Sequence, residues 1–170
     1  MAKGPTRRAA ARPAAGDDRK VVAQNRRARH DYEIHERVEA GLELVGSEVK
    51  SLRDGKAQLR DAYARVDDGE MWLFSMHVPP WAFATGFGAH DPERRRRLLL
   101  HKRQIVELGD RVAQEGLTIV PLAVYFRNGR AKVELGLARG RKTYDKRRAL
   151  AERDTRREAE RALSGRGHRD

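Results

Sequence analysis

Hydrophobic and polar residues alternate at several places along the chain, and this pattern is typical of strands with one buried face. The first such run, "HDYEIHERVEAGLEL", predicts a strand with apolar positions at Tyr32, Ile34, Val38, Leu42 and Leu44. Gly41 interrupts the run. Because a glycine inside a strand often marks an extra residue or a corner, we expect a bulge or a sharp bend there.

Two later runs have the pattern of β-hairpins. Asp68-Gly69 separates two apolar runs in "AYARVDDGEMWLF", and Asn128-Gly129 does the same in "LTIVPLAVYFRNGRAKVELGLARG". Both dipeptides are favoured in two-residue hairpin turns. We therefore read Asp67-Asp68 as turn chemistry rather than a catalytic carboxylate pair. Trp72 lies in the first hairpin, and we expect it in the core.

Helix signals occur in two places. "VGSEVKSLRDG" predicts a short helix with Ser47 as N-cap and Gly55 as its end. The segment after Asp91-Pro92 predicts one or two helices that end at Gly116. The apolar positions of this second segment are Leu98, Ile105, Leu108 and Val112.

These elements define a body between two extensions. Residues 1–20 are rich in Ala, Arg, Pro and Gly without a period, and we expect a disordered basic arm. Residues 21–138 predict a mainly β fold with helices, an OB-type antiparallel barrel with helices packed on it. An SH3-like barrel or an α+β sandwich would give a similar pattern. Residues 139–170 form a charged tail with almost no apolar residue to bury.

Charge is distributed unevenly among these regions. The chain of 170 residues has a formal net charge of +12. Residues 1–30 contain nine Lys/Arg against two Asp, and residues 139–170 contain twelve Lys/Arg against six Asp/Glu. The residues between them are nearly neutral, with 16 Lys/Arg against 17 Asp/Glu. Two basic segments around a compact body favour a nucleic-acid partner over a merely solubilising role.

Other function classes find little support in the sequence. There are no cysteines, the six histidines lack metal-ligand spacing, and no nucleophile or phosphate-loop motif occurs, so we expect no enzyme, metal or cofactor. No apolar run is long enough to span a membrane, and the first 20 residues lack the apolar core of a signal peptide. We expect a cytoplasmic protein without a membrane partner.

The arginine run in "ERRRRLLL" and the loop residue Trp81 admit two interpretations each. Four consecutive arginines cannot share one face of a helix, so a solvated helix face and RNA contact are equally compatible with the run. Trp81 lies in the loop "HVPPWAFATGFGAHDP" and is a candidate for stacking on a base.

Three blocks of the sequence resemble one known family. "NRRARHDYEI", "EAGLELVGSEVKSLRDGKAQL" and "KVELGLARGRKTYDKR" resemble the tmRNA-binding protein family, also called SsrA-binding protein or small protein B. The similarity runs from Asn25 to about Arg157. It implies a non-enzymatic factor of bacterial trans-translation with an OB-fold body that binds the tRNA-like domain of tmRNA. The family acts with elongation factor Tu at stalled ribosomes, and we expect one monomer per tmRNA.

The resemblance also implies site residues. The positions tied to tmRNA binding are Asn25, Glu39, Leu99 and Lys132, and neighbouring arginines that can contact phosphates are Arg26, Arg27 and Arg29. The tail is expected to be disordered when free and helical in the vacant mRNA channel of the ribosome. Its residues that resemble decoding-centre and channel contacts are Gly140, Lys142, Tyr144, Asp145, Lys146 and Arg147. Some relatives have histidine where this chain has Tyr144.

Three questions stay open at this point. Glu39 would repel phosphate, so we expect it to accept a hydrogen bond from a base edge or a 2′-hydroxyl. Leu99 is compatible both with a helix core and with packing under a base. In the tail, Glu152 and Arg156 offer an i, i+4 pair, but such pairs are too weak to hold an isolated helix, so a ligand is needed.

The function predicted for the whole chain is that of an RNA-binding rescue factor. The alternatives are a ribosomal or assembly protein with basic arms and a nucleic-acid-processing enzyme.

Overall fold

The computed structural model describes residues 19–83, 89–141 and 143–165. Seven strands and four helices follow one another in these residues. They are β1 (Arg19–Gln24), α1 (Arg26–Asp31), β2 (Tyr32–Leu42), α2 (Gly46–Arg53), β3 (Tyr63–Asp67), β4 (Glu70–Phe74), β5 (Arg96–Leu99), α3 (Lys102–Glu115), β6 (Thr118–Arg127), β7 (Arg130–Gly140) and α4 (Thr143–Gly165).

Six of the strands close into a ring. The neighbouring strands are β6-β3-β4-β5-β2-β7, and β7 pairs with β6 to close the ring. Every pair in the ring is antiparallel. Strand β1 lies outside the ring and pairs with β6. The predicted fold class, a mainly antiparallel β barrel with packed helices, is confirmed. Closure leaves the ring without a free strand edge.

Both predicted hairpins form. Asp68 and Asn128 have φ angles of 52° and 51°, and the glycines that follow them also lie in the left-handed region. Positive φ at both central residues is the requirement of the two-residue turn that matches strand twist. Each turn fixes its register, so that Tyr63 lies opposite Phe74 and Tyr125 lies opposite Lys132.

The bulge predicted at Gly41 is wrong, and the alternative of a sharp bend there stays a prediction. The register of β2 against β7 shifts between Ile34 and Glu36 instead. Gly41 pairs on one side with Leu99 and on the other with Lys132. A Cβ atom at this position would lie 3.1 Å from the Cβ of Leu99, so the glycine is needed because strand β5 approaches closely.

The helix predicted from Pro92 is also wrong at its start. Residues Arg96–Leu99 form strand β5 between β4 and β2, and helix α3 begins at Lys102. Arg96 is fully buried and donates hydrogen bonds to Glu48 at 3.1 Å and to the Met76 carbonyl at 2.7 Å. These distant partners stabilise an inward-facing arginine in a strand, and the local pattern of apolar residues cannot predict them.

The short helix α2 is confirmed, with a different cap. It begins at Gly46, and the backbone N–H of the preceding Val45 donates to Glu48 Oε2 at 3.1 Å. Ser47 therefore does not cap the helix, and its hydroxyl lies 2.8 Å from His90 Nδ1. Gly55 follows the helix with a φ of 74°, as expected of a residue that ends one.

Trp72 is not a core residue. In β4 the inward positions are Met71 and Leu73, both fully buried, so Trp72 points outward and is half-buried. The Arg95 guanidinium lies over its ring at 4.4 Å from the centroid. The period of two in a strand places neighbours on opposite faces, and the two flanking side chains fill the core.

The chain enters the sheet earlier than predicted. Arg19 and Lys20 belong to β1 and not to the arm, while residues 1–18 lie outside the described part of the chain. In the residues that the structure describes, no helix combines the length and the apolarity that a membrane crossing requires.

Candidate RNA interface

Three of the predicted site residues meet on the outer face of the barrel. Glu39, Leu99 and Lys132 lie on β2, β5 and β7, which are adjacent strands. Gly41 joins them, since it pairs with both Leu99 and Lys132. All three predicted residues line one open cleft of about 550 Å³, which the start of α3 closes on one side.

Leu99 is an exposed residue and not a core residue. Its strand alternates, so Leu98 is buried against the core while Leu99 is 49% exposed. The open question of its surroundings is thereby answered. A leucine held on rigid strands beside a lysine offers an apolar surface on which an unstacked base can pack.

Glu39 is anchored by two residues of β6. Its Oε2 atom accepts hydrogen bonds from the Tyr125 hydroxyl and from Nη1 of Arg127. Burial, the hydrogen bond and the negative charge of Glu39 together raise the pKa of Tyr125 well above its ordinary value, so the phenol keeps its proton and acts as donor. The Arg19 guanidinium of β1 lies over the ring of Tyr125, 3.8 Å from its centroid.

Tyr125, Arg127 and Arg19 were not predicted from the sequence as site residues. The Asn128-Gly129 turn contains the signal that would have found the first of them. A two-residue turn pairs Arg127 with Arg130, and counting back two residues places Tyr125 opposite Lys132. Arg19 had no comparable signal, because it falls within the predicted arm of residues 1–20.

A second group of predicted residues lies elsewhere, at helix α1. Asn25 precedes the helix, is buried, and uses its whole side chain internally. Its Oδ1 accepts from the Ala28 N–H, and its Nδ2 donates to the Leu59 and Pro121 carbonyls, each at 3.0 Å. Asn25 therefore positions α1, with its oxygen and its nitrogen both engaged in internal hydrogen bonds.

Helix α1 carries the basic residues that Asn25 positions. Arg26, Arg27 and Arg29 are exposed. Arg27 pairs with Asp31 at 3.0 Å, while Arg26 and Arg29 have no ion pair within the described part of the chain. These two arginines are the ones whose charge is available to a phosphate.

The tail leaves the barrel beside α1. Gly140 ends β7 opposite Tyr32, and the Arg141 N–H donates to the Asp31 carbonyl at 2.8 Å. Helix α4 then starts at Thr143 and contacts α1. Lys142 lies outside the described residues, and of Tyr144, Asp145 and Lys146 only the helical backbone is described. Arg147 is exposed on the helix.

Helix α4 exposes every side chain that the structure describes in it. Among its described side chains, ion pairs join Arg148 to Glu152 at 3.1 Å and Arg156 to Glu160 at 3.3 Å. The expected pair of Glu152 with Arg156 is therefore wrong, because each residue takes the partner one turn on its other side. The helical form matches what the resemblance implies for the tail on the ribosome, and disorder in the free protein stays a prediction.

The cleft and the base of the tail lie at opposite ends of one strand pair. Tyr32 pairs with Gly140 at the tail end, and Gly41 pairs with Lys132 at the cleft end. Nine residue steps of strand separate the two positions, which corresponds to about 30 Å of chain. The predicted site residues thus divide into two groups joined by a hydrogen-bonded ladder.

The interpretation of the arginine run as a helix face is wrong, because Arg96 and Arg97 lie in strand β5. Arg97 also lines the cleft, and RNA contact by the run stays a prediction. Arg94 and Arg96 bind Glu48, Arg95 contacts Asp67 at 3.4 Å, and Arg97 bonds Glu43 at 2.7 Å and Glu70 at 3.1 Å. Each guanidinium is thus used within the barrel.

Trp81 stays a candidate for stacking on a base. It is half-buried, with the Lys50 ammonium 4.3 Å from its ring centroid and the exposed Phe83 ring at 5.1 Å. No cluster of three or more potential metal ligands occurs in the described residues.

A closed antiparallel barrel with an outward cleft of basic, apolar and anchored acidic side chains, flanked by basic segments, defines a nucleic-acid-binding barrel. Residues 22–165 match the family described as SmpB protein, and the chain belongs to that family.

Individual relatives agree with this assignment. The chain is 58% identical to an SsrA-binding protein of Leifsonia xyli subsp. xyli over 88% of this chain and 94% of the relative. It is 56% identical to an SsrA-binding protein of Kineococcus radiotolerans over 89% of this chain and 96% of the relative. A solved structure described as "tmRNA-SmpB: a journey to the center of the bacterial ribosome" is 51% identical, with a TM-score of 0.60 over 71% of this chain and 85% of the other.

Proposed function

We propose that this protein is a tmRNA-binding factor of trans-translation. The barrel binds the tRNA-like domain of tmRNA, and the tail enters the empty mRNA channel of a stalled ribosome. The observation that carries the proposal is the meeting of Glu39, Leu99 and Lys132, which are far apart in sequence, in one cleft. Membership of the SmpB family and similarity to a structure described as tmRNA-SmpB support the same conclusion.

Each cleft residue has a distinct task. Lys132 contributes a positive charge for a phosphate, which makes binding dependent on salt. Leu99 packs beneath a base that has left its stack, and a rigid strand holds it in place. Glu39 accepts a hydrogen bond from the RNA. These contacts position and read an irregular RNA surface, which is how proteins recognise folded single-stranded regions.

Helix α1 acts at the other end of the barrel. Arg26 and Arg29 bind phosphates, and Asn25 acts through them as a positioning residue because its amide is fully used within the barrel. Arg27 shares its charge with Asp31 and contributes less. Because α1 contacts α4, we expect these arginines to lie beside the RNA that the tail meets.

The tail follows different physics. A helix of 23 residues extends about 34 Å, and its exposed basic residues suit an RNA-walled channel. Gly140, Lys142, Tyr144, Asp145, Lys146 and Arg147 are proposed as its contacts near the decoding centre. Folding of the tail on binding and delivery together with elongation factor Tu rest on the family resemblance, as do a monomer per tmRNA, a cytoplasmic location and the lack of enzymatic activity.

Binding to the tRNA-like domain of tmRNA tests the proposal. Wild-type protein should bind this RNA more tightly than an arbitrary structured RNA of equal length, as measured by fluorescence anisotropy. Leu99→Ala should weaken the specific binding, because it removes the exposed apolar surface of the cleft. Val106→Ala is the matched control, since Val106 is 61% exposed on α3 away from the cleft. Equal affinity for both RNAs, or equal effects of the two substitutions, would contradict the proposal.

A further inference from the structure

Two carboxylates face each other across strands β2 and β7 on the outer surface of the barrel. Glu39 lies directly opposite Glu134 in the register of this pair. Both are bonded to arginines, and both stand next to the cleft that the proposed function uses. They differ in how their oxygens are used, and that difference is informative.

Glu134 has a partner for each oxygen. Its Oε2 accepts from Arg19 at 2.9 Å, and its Oε1 accepts from Arg37 at 3.3 Å. The side chain is 17% exposed. This carboxylate is therefore occupied within the chain, and it balances the two arginines that hold it.

Glu39 uses only one of its oxygens. Tyr125 and Arg127 both donate to Oε2, and no described residue donates to Oε1. The side chain is 35% exposed and lines the cleft together with Leu99 and Lys132. Two donors on one atom fix the plane of the carboxylate, so the other atom is an acceptor with a defined direction.

We propose that Tyr125 and Arg127 position Glu39 so that its Oε1 atom accepts a hydrogen bond from an uncharged donor of the bound RNA, either a 2′-hydroxyl or a base N–H. The inference rests on the proposed function and deepens it. A carboxylate cannot pair with phosphate, so a carboxylate oxygen that no described residue uses, at an RNA-binding surface, is suited to accept from an uncharged donor. Tyr125 and Arg127 are then positioning residues, and Arg19 supports them by lying over the Tyr125 ring.

The variant Glu39→Gln separates this role from simple charge repulsion. Its amide must turn the carbonyl oxygen toward Tyr125 and Arg127, which are both donors, and so presents an NH2 group where the acceptor was. We expect roughly tenfold weaker binding to the tRNA-like domain. The salt dependence of binding should stay the same, since no phosphate contact is lost. Tighter binding of Glu39→Gln would overturn the proposal, because it would mean that the carboxylate only repels the RNA.

Glu134→Gln is the matched control. It removes the same charge from the neighbouring position, and we expect unchanged or slightly tighter binding. A loss as large as that of Glu39→Gln would overturn the proposal, since it would trace the effect to a broken arginine pair. Tyr125→Phe tests the positioning: affinity should fall several-fold while far-UV circular dichroism and the melting temperature stay close to wild type. Unchanged affinity of Tyr125→Phe would overturn the role of Tyr125.

Nucleotide-analogue interference identifies the donor. The tRNA-like domain is prepared with scattered 2′-deoxy substitutions or with inosine for guanosine, and the fraction bound by the protein is sequenced. The partner is the position at which a substitution weakens binding of the wild type but does not weaken binding of Glu39→Gln. Such a position identifies a 2′-hydroxyl in the first library and a guanine amino group in the second. Identical interference patterns of the two proteins in both libraries, together with unchanged affinity of Glu39→Gln, would overturn the inference. A wild-type protein that does not bind the tRNA-like domain specifically would instead count against the proposed function.

Discussion

The cleft and the tail differ in how their residues are held. Glu39, Leu99 and Lys132 come from three strands and take their positions from hydrogen-bonded neighbours and packed side chains. The tail residues come from one continuous segment whose described side chains are exposed and whose ion pairs lie within a single helix. The barrel therefore offers a preformed surface, while the proposed behaviour of the tail is to take its fold from its surroundings.

This difference predicts a division of labour. A preformed cleft loses little conformational entropy on binding and suits selective recognition of one RNA. A segment that becomes ordered on binding pays that entropic cost and suits a sensor that responds only where its partner surface exists. Experiments that disturb one region and leave the other intact therefore test the proposed function directly.

Removal of the tail should have the largest effect. A chain that ends at Arg141 keeps the bond from Arg141 to the Asp31 carbonyl and the whole of β7. We expect RNA affinity within about twofold of wild type and complete loss of peptide tagging on stalled ribosomes in a reconstituted translation assay. A cut after Ala138 is a poorer test, because it removes Arg139 and Gly140 from the sheet. Equal loss of RNA affinity and tagging would contradict the division.

Glu48→Gln should destabilise the part of the barrel that holds β5 at the cleft. Glu48 is fully buried and binds Arg94, which lies just before β5, and Arg96, which begins the strand that carries Leu99. Removing the charge leaves two guanidinium groups facing an amide, so we expect the free energy of unfolding to fall by about 3 kcal/mol. Urea denaturation at pH 7 measures this loss, and Glu93→Gln is a control at an exposed carboxylate.

The same variant should alter the response to acid. Burial alone would raise the pKa of Glu48, but the hydrogen bond from Arg94, the charge of Arg96 and the Val45 N–H together hold it below its ordinary value of 4.5. The stability that Glu48 contributes is thus present above pH 4.5 and lost as the pH falls through the lower folded-state pKa. Wild type should lose more stability in this range than Glu48→Gln, and parallel curves would exclude the assigned cause.

Lys132→Ala should weaken RNA binding several-fold without affecting the fold. If Lys132 contacts a phosphate, the slope of log affinity against log salt should fall by about one. Leu99→Ala should weaken binding with an unchanged slope, because it removes only apolar contact. Identical slopes of Lys132→Ala and wild type would show that the lysine does not neutralise a phosphate.

Changes within the tail should have the smallest effect. The isolated peptide of residues 140–163 should be mostly non-helical in buffer by far-UV circular dichroism. Glu152→Gln removes the pair with Arg148 and should cost about 0.2–0.5 kcal/mol of helix stability. Asp154→Asn removes the same charge from a position without an ion pair in the described residues and is the control. A strongly helical wild-type peptide would remove the contrast between the two regions.

The sequence predicted the elements whose signals are local. The turn residues Asp68-Gly69 and Asn128-Gly129 each predict a hairpin, and the alternation around Val38 predicts a strand. Strand β5 was predicted as helix because its stabilising partner, Glu48, lies 48 residues before Arg96 and leaves no local trace. Trp72 was misplaced for a related reason, since its inward neighbours Met71 and Leu73 decide which face it takes.

The site was predictable in part. The family resemblance named Glu39, Leu99 and Lys132, but residue patterns alone gave no reason to group them. Their meeting depends on the two-sided pairing of Gly41, a tertiary fact. Asn25 was predicted as an RNA-binding residue, and the structure assigns its amide to the barrel, so its proposed contribution to binding is to position α1.

The ladder between β2 and β7 has a consequence for mechanics. A flexible linker between the cleft and the tail would let the two ends be occupied at many relative distances. Nine paired residues permit essentially one distance, because stretching or bending the ladder would break its hydrogen bonds. The barrel therefore acts as a rigid spacer. The distance and the direction from a ligand in the cleft to the start of the tail are fixed by this ladder.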